Sequence, residues 1–465
     1  MAYRYGNRMQ ESLLPPSIED YVAQEDPVRA YDVFFDMLDF AGLGIVEDEH
    51  QVGNAEYDPR AMLKLIAYGY SYGIRSSRKL ERALVHNLSF MWLVGGLRPN
   101  YKTISEFRRR NRKSIALVLK QCARMCMKLG LVEGNTLFID STRMRANASL
   151  RNTWTEQRCR DALKDIDERV EAILKESEET DTREQEQGSL VCVEGMEEKQ
   201  LRSKIRGILE ELHREGRQSK NTVDADCVST SSIHGAYAGY SAHIAVDGKN
   251  GLIANAEVVS SAVDQNALSE QVEKANEVVE KKCEYAVADG GYSGIKDVKK
   301  VIDSGVTPVL PLQRNIEKRK DFTYDEAKDC FTCPEGHMFH RSKTIAKGQW
   351  VYYWPKYRSI CKTCCRFGVC TKSPYGRTVS RSLLEPIAEK VEGYYLRFRD
   401  IFSRRKGKAE HPFGYIRCTL GANGFLLRGT TGVNAEMSLM STAFNIRRMI
   451  TLLNGVKGFR AALAQ

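Results

Sequence analysis

Near residue 135 the apolar residues of this 465-residue chain change their period, and that change limits the fold more than any other feature. Before it they recur at intervals of three and four. Val28, Tyr31, Phe34, Phe35 and Leu38 fall on one face of a helix. Asp58-Pro59 opens another helix, with Asp58 as N-cap and Pro59 at the first position, ahead of Met62, Leu63, Leu65 and Ile66. Ser76-Ser77 and Lys102-Thr103 precede two more helical patterns. After it, residues 135–139 read as a short strand ending at Asp140. Residues 240–246 and 252–259 alternate with period two about a turn at 247–251, which is a β-hairpin. A helix is expected around 265–280, a strand over 284–288 ending at Asp289, and a further short strand over 306–312. Strands alternating with helices indicate an α/β core.

Two excursions interrupt that core. Residues 156–215 are charged and helical: Leu163, Ile166, Val170 and Ile173 recur at three and four, as do Leu201, Ile205, Ile208 and Leu212, with a polar stretch, 181–197, between them. This pattern predicts a helical hairpin. Residues 322–372 are rich in cysteine, and 383–455 return to a helical pattern. The expected organisation is a helical region over 1–130, an α/β domain over 131–455, a helical insertion over 155–220, a Cys-rich module over 322–372 and a helical C-terminal part over 383–455.

Charge enters the argument through its distribution. The total is 70 Lys+Arg against 60 Asp+Glu, a net +10. Between Arg341 and Leu384 lie ten Lys/Arg and no acid, and between Lys102 and Lys128 nine Lys/Arg with Glu106 alone. Such runs suit a phosphate backbone; a solvated charged face is the plainer alternative. Short helices, a basic last helix and Arg108, Arg109, Arg110 and Arg112, expected to be exposed, resemble a helix-turn-helix-type DNA-binding region; a plain helical bundle has the same pattern. No apolar run approaches the ~20 residues of a membrane span, and residues 1–15 lack the apolar stretch of a signal peptide. No membrane association and a cytoplasmic, nucleoid-associated location are therefore expected. In a reducing compartment the thirteen cysteines would not form disulfides.

The chemistry rests on three acids. Asp140 follows Phe138-Ile139, and Asp289 follows Ala286-Val287-Ala288 and precedes Gly290-Gly291. A carboxylate at the carboxyl end of a buried strand sits at the mouth of an α/β sheet, and two such strands side by side would bring both acids to one metal. Glu410 lies two residues before Pro412, a first-turn residue, which puts Glu410 at a helix entrance. Singly, these are also a turn residue, an Asx-turn and a helix N-terminal acid. In the order strand-Asp, strand-Asp, helix-Glu they form the pattern of an RNase H-like site, in which two Mg²⁺ ions about 3.5–4 Å apart serve phosphodiester chemistry.

At these residues the chain resembles the DDE transposases of bacterial insertion sequences, nearest the IS1182-like branch related to the IS5 and IS4 groups. The matching stretches are FIDSTRMRANAS (138–149), GYSAHIAVDGKNGLI (239–253), AVADGGYSG (286–294), AEHPFGYIRC (409–418) and GFLLRGTTGVNAEMSLMSTAFNIRRM (424–449), with YDPRAMLKLIAYGYSYGIRSSRKLERAL (57–84) in the N-terminal part. The resemblance implies an RNase H-like catalytic domain with Asp140, Asp289 and Glu410 as its triad. It also implies two Mg²⁺ or Mn²⁺ ions, double-stranded DNA as terminal inverted repeats and target, a homodimer in the DNA complex, and joining of freed 3′-hydroxyls to target DNA. The alternatives are a copy that binds DNA without cutting, or a nuclease on the same fold. The IS4-like signature of Tyr, two residues, Arg, three residues, Glu, six residues, Lys falls on Ser403, Lys406, Glu410 and Arg417. The two cations are swapped in type, with different donor geometry, and the Tyr is absent. Ser241 and His243 stand where the family usually has Asn and Gln.

In the Cys-rich segment Cys330 and Cys333 form one CxxC pair and Cys361 and Cys364 another, followed by Cys365 and Cys370. Two such pairs point to structural Zn²⁺; free thiols in a loop are the alternative. The resemblance suggests Cys333, Cys361, Cys364 and Cys370 as ligands, with Cys330, Cys365 and His337 as substitutes. Cys122, Cys126, Cys159, Cys192, Cys227, Cys283 and Cys418 read as core or surface residues. Arg143 and Arg145, just past Asp140, are placed to meet phosphate. Arg428 is expected to contact DNA or the active-site acids, or to form a structural ion pair. His234 and His243 read as core or surface histidines, and Tyr237, Tyr240 and Tyr292 as packing residues, with stacking on a splayed base as the alternative. Asp264 reads as the cap of the helix that follows it, or as a further metal-side acid.

Overall fold

The computed structural model describes residues 17–45, 56–180, 188–216, 219–232, 235–261, 263–312, 321–346 and 350–464, with side chains over 173–197, 232 and 343–346 left out. His234 lies outside the described residues, and the side chains of Ile173 and Cys192 lie outside the described side chains.

The N-terminal part is helical, as the three-and-four spacing requires. Its helices are Val28–Asp36, Pro59–Ser71, Ser77–His86, Leu88–Leu93, Tyr101–Arg110, Arg112–Ala116 and Val118–Lys128, with a short Phe40–Leu43 turn. The Asp58 carboxylate accepts from the Arg60 and Ala61 amides, with Pro59 next in line. The basic helix starts earlier than Lys102-Thr103 suggests. Asn100 is its N-cap and accepts from the Thr103 amide at 2.9 Å.

A six-stranded mixed sheet follows, built from β1 (Thr136–Arg145), β4 (Val228–Ser232), β5 (Gly235–Asp247), β6 (Ile253–Val259), β7 (Tyr285–Val287) and β8 (Thr307–Val309); β2 (Thr153–Thr155) and β3 (Ser219–Asn221) pair separately. The order is β4-β5-β1-β7-β8, with β6 also on β5. β1 is antiparallel to β5, while β1, β7 and β8 are mutually parallel. β1 does not stop at Asp140. It runs on to Arg145 because residues 141–145 keep pairing with β5.

The helix Thr430–Leu452 joins the two parts. Buried residues cover it nearly all round, among them Val433, Met437, Met440, Phe444 and Met449. It docks on the edge strand β6 through two side-chain amides. Asn434 exchanges hydrogen bonds with Val258 N (2.8 Å) and O (2.9 Å), and Asn445 with Ile253 N (2.8 Å) and O (2.9 Å). Eleven helical residues rise about 16 Å and five strand residues span about the same, so the spacings match and the edge is closed against further pairing. On its other side Tyr70 donates to Glu436 at 3.0 Å, and Leu119 N to Ser438 at 3.0 Å. One hydrophobic core therefore runs from the N-terminal helices through to the sheet.

The helical hairpin forms from Glu156–Thr180 and Gly188–Glu215 around Cys159, Ile166, Ile205, Ile208 and Leu212. Leu201 is left outside it at 43 % exposure, and the second helix begins inside the polar stretch 181–197. The Cys-rich segment forms an antiparallel sheet that the sequence reading did not foresee. Its strands are β9 (Thr323–Asp325), β10 (Cys330–Thr332), β11 (Met338–Ala346), β12 (Trp350–Pro355) and β13 (Val379–Ser382), around Phe331, Phe339, Val351, Tyr353 and Val379.

Candidate active site

Strand register brings the two aspartates together. In the parallel pair Phe138 lies opposite Val287, so two residues further along each chain Asp140 and Asp289 are in step on neighbouring strands. Asp289 caps the 3₁₀ turn Gly290–Tyr292, its Oδ1 accepting from Gly291 N at 2.9 Å. A Cβ on residue 291 would lie 2.9 Å from that same oxygen, so glycine is required for the carboxylate to sit there. Asp140 is 8 % exposed and accepts from Ser141 N at 2.9 Å.

Glu410 arrives from the C-terminal side, and not at a helix entrance. Helical backbone runs from Arg399 to Thr419, with π-helical stretches at Lys406–Glu410 and Tyr415–Thr419 on either side of His411–Gly414. Pro412 has no N–H to give to a carbonyl one turn back, and the wider π register occurs around it. In a π turn residues five apart stack, which puts Arg405 beside Glu410. Arg405 Nη2 lies 3.4 Å from Glu410 Oε1, and its Nη1 lies 3.4 Å from Asp140 Oδ2. One guanidinium thus spans two of the three acids. The sequence reading passed over Arg405, because nothing in residue spacing announces a π turn.

Burial pushes the Asp140 carboxyl up to about 6. Arg405 and the Ser141 amide pull it down, while the charges of Asp289 and Glu410 push it further up. All three acids therefore share one electrostatic environment. Among the described residues no group of three or more His, Cys, Asp or Glu is disposed as a formed metal cluster, these three included. The donor set nonetheless fits a hard divalent cation, being all carboxylate oxygen, and a cationic side chain already stands between two of the donors.

Alternation along β1 separates two environments. Thr142, like Asp140, meets the C-terminal helix: Arg417 donates to the Thr142 hydroxyl and, at 2.9 Å, to Arg143 O. Ser141 and Arg143 face the other way, into a buried network. Asp264 accepts from Ser141 (2.8 Å), Ser241 (3.1 Å) and Arg143 (3.1 Å); His243 contacts Ser241 (3.1 Å) and Tyr292 (2.8 Å). Burial holds the His243 imidazole below its ordinary range, hence neutral. Asp264 is thus no helix cap: the following helix, Leu268–Val279, has no side-chain cap. Arg143 is engaged in this network on the face away from Asp140, and Ser241 and His243 belong to it as well.

The other expected DNA contacts divide. Arg108 is buried and donates to Arg75 O at 2.8 Å, contrary to the expectation of exposure. Arg109 and Arg110 both pair with Glu106, at 2.6 and 2.9 Å, and Arg112 donates to Arg109 O at 3.1 Å. Lys406 is exposed. Arg145 lies over the Tyr237 ring at 4.9 Å, and Arg428, exposed, donates to Asn147 O at 3.0 Å. Arg145, Arg417 and Arg428 thereby converge on the stretch of chain just past Asp140. Tyr240 and Tyr292 are fully packed, as expected.

The zinc expectation gains no support. Cys333, Cys361, Cys364 and Cys370 do line one pocket, with His337, Phe322 and Phe339, but among the described residues no three of them stand as ligands to a common point. Cys122, Cys126, Cys159, Cys227 and Cys283 are buried, and Cys418 is exposed.

Residues 16–110 match a family described as a transposase domain (DUF772), and residues 332–450 match one described as a transposase DDE domain. The second range holds Arg405 and Glu410; Asp140 and Asp289 precede it. No curated protein matches the chain. No described helix is long and apolar enough to cross a membrane.

Proposed function

We propose that this DNA transposase, an enzyme of phosphodiester cleavage and strand transfer by virtue of its DDE domain, works through Asp140, Asp289 and Glu410. The observation that carries the reading is the parallel register of β1 and β7, with Glu410 tied to Asp140 through Arg405. The strand order β6-β5-β1-β7-β8, antiparallel on one side of β1 and parallel on the other, supports an RNase H-like core. Within the family we place the chain in the IS1182-like branch, acting as a dimer on two inverted-repeat ends. We also propose the division into an N-terminal DNA-binding region (1–130) and a catalytic domain (131–455) bearing the two insertions.

Divalent ions held by the three carboxylates, two Mg²⁺ or Mn²⁺ in this reading, would activate the attacking hydroxyl and neutralise the leaving oxygen. The chain's own residues do the rest. Asp140 and Asp289 are fixed by strand backbone and by the Ser141 and Gly291 amides, so the ligand positions are preorganised. Gly290-Gly291 turns the backbone away beside Asp289, which stays partly exposed while Asp140 is buried. Arg145, Arg417 and Arg428, held by a ring face and two carbonyls, form a cationic row along which a DNA backbone can lie beside Asp140.

The test is strand cleavage with Mg²⁺ on duplexes carrying the terminal repeats. Asp289→Asn keeps the oxygen that accepts from Gly291 but loses the charge. Cleavage by the unaltered chain that this substitution abolishes, with DNA binding retained, supports the reading. Cleavage that survives it refutes the triad, repeat-independent cleavage favours a nuclease, and tight binding without any cleavage favours a DNA-holding protein.

A further inference from the structure

Arg405 has no place in the triad or in the family signature as aligned, yet its guanidinium lies 3.4 Å from both Asp140 and Glu410. Its side chain is only 13 % exposed, against 51 % for Glu410. Nη1, the nitrogen facing Asp140, is buried and makes no hydrogen bond to a described residue; at 3.4 Å it is near the carboxylate but not bonded to it. A buried guanidinium N–H left without a partner is costly, so its position needs a reason. The three acids supply one. Carboxylates gathered without a cation repel each other in a partly dry site, and Arg405 is the cation that the helix delivers there through its π turn.

We propose that Arg405 is a positioning residue that stands in for the divalent ion: its guanidinium holds Asp140 and Glu410 together in the metal-free protein and must leave them when metal enters. This rests on the triad reading above. The arginine and the metal then compete for the same oxygens, so Arg405 preserves the shape of the empty site and lowers its affinity for metal. Its incomplete hydrogen bonding is consistent with a contact built to be released.

The experiment measures Mn²⁺ binding to the full chain, from the free Mn²⁺ signal in electron paramagnetic resonance, together with thermal unfolding in chelator. Arg405→Gln should bind Mn²⁺ roughly three- to tenfold more tightly, the scale for removing one competing unit charge at this separation from partly solvated ligands. It should also melt earlier in chelator and gain more from added Mn²⁺ than the unaltered chain. Loss of a merely structural residue would weaken metal binding instead, so equal or weaker binding overturns the proposal. Arg405→Lys keeps the charge but not the two-armed reach and should fall between the two. If the Gln variant does not fold, the Lys variant decides, tighter binding supporting the proposal and unchanged or weaker binding overturning it. Asp289→Asn leaves both Arg405 contacts in place and tests the site itself. If it does not reduce Mn²⁺ binding, the triad reading falls and takes the competition with it. If it does, and Arg405→Gln binds no more tightly, only the competition fails.

Discussion

The chain gathers metal-capable side chains in two regions, the carboxylates of the mixed sheet and the thiols of the Cys-rich module, and it treats them differently. Asp140 and Asp289 are set by the pairing of β1 with β7 and Glu410 by a π turn, and the cation Arg405 lies 3.4 Å from two of the three. The thiols are set by turns and a short 3₁₀ segment, Arg358–Cys361, around a pocket with aromatic walls. Burial raises the Cys370 thiol, and the neighbouring Cys361, Cys333 and Cys364 raise it further, against the pull of Arg377. The difference is one of protonation. A thiol can stay neutral in an apolar pocket and needs no counter-ion, whereas grouped carboxylates ionise and demand a cation. In the reading proposed above, charge holds the carboxylate site in shape without metal, whereas the cysteine pocket is held by packing and by Arg377, whose backbone N donates to Cys361 Sγ at 3.5 Å and whose Nη1 donates to Cys370 O at 3.3 Å.

The largest expected effect follows directly. Asp289→Asn or Glu410→Gln should lower Mg²⁺-dependent cleavage by roughly a thousandfold or more, the scale on which a metal-assisted step depends on its ligand set, while circular dichroism stays unchanged. Replacing Cys361 and Cys364 together by Ser should lower it less than about tenfold, since the module touches no reacting atom in this reading. Equal losses in the same cleavage assay would break the comparison.

A smaller effect concerns stability and pH. Asp140 has its carboxyl pushed up to about 6 from an ordinary 3.8, chiefly by burial. The folded protein therefore keeps a proton on this group in a pH window where the unfolded chain has released it. The stabilisation is complete below about 4 and is lost as pH rises through about 6. Asp140→Asn, which mimics the neutral form, should make the metal-free protein more stable than the parent at pH 7.5, by roughly 1–3 kcal/mol, and the gap should close as pH falls toward 4. Denaturant melts at several pH values would read this out. An Asn variant less stable than the parent at pH 7.5 would mean that Arg405 outweighs burial and that the site favours the charged carboxylate.

What could be read from the sequence divides along the same line. Local chemistry was readable. The Asp58-Pro59 cap, the 247–251 hairpin and the helical hairpin follow from spacing and turn residues, as does the place of Asp140 and Asp289 after short apolar runs. What depended on distant partners was not. β1 continues past Asp140 because Ser141 and Arg143 find Ser241, His243 and Asp264 on the far side of the sheet, a polar face that resembles a loop in sequence. Glu410 sits inside a helical run because π turns flank the segment that carries Pro412, and the first of them, Lys406–Glu410, conceals Arg405. Arg108 resembles its neighbours in the basic run, but it is buried and its Nη1 donates to the Arg75 carbonyl across the bundle. Asn434 and Asn445 are unremarkable as letters; their role appears only when a helix of one rise meets a strand of another.

The smallest expected effect is in the cysteine pocket, and it sharpens the comparison most. If packing rather than a metal holds the pocket, Cys364→Ser exchanges one half-buried side chain for a slightly smaller polar one in a pocket shared with Phe322, Phe339 and Phe367. The cost should be within about 1 kcal/mol, and a strong zinc chelator should leave the melts of parent and variant equally displaced, or not displaced at all. The module's own core of Phe331, Phe339, Val351, Tyr353 and Val379 carries its stability in that case. A structural zinc ion would give a different result, because its binding energy is folding energy. Chelation would then lower the melt of the parent by many degrees and that of the variant by little. That outcome, with metal analysis finding one zinc per parent chain, would show that the thiols gather around an ion after all and that packing alone does not hold the pocket.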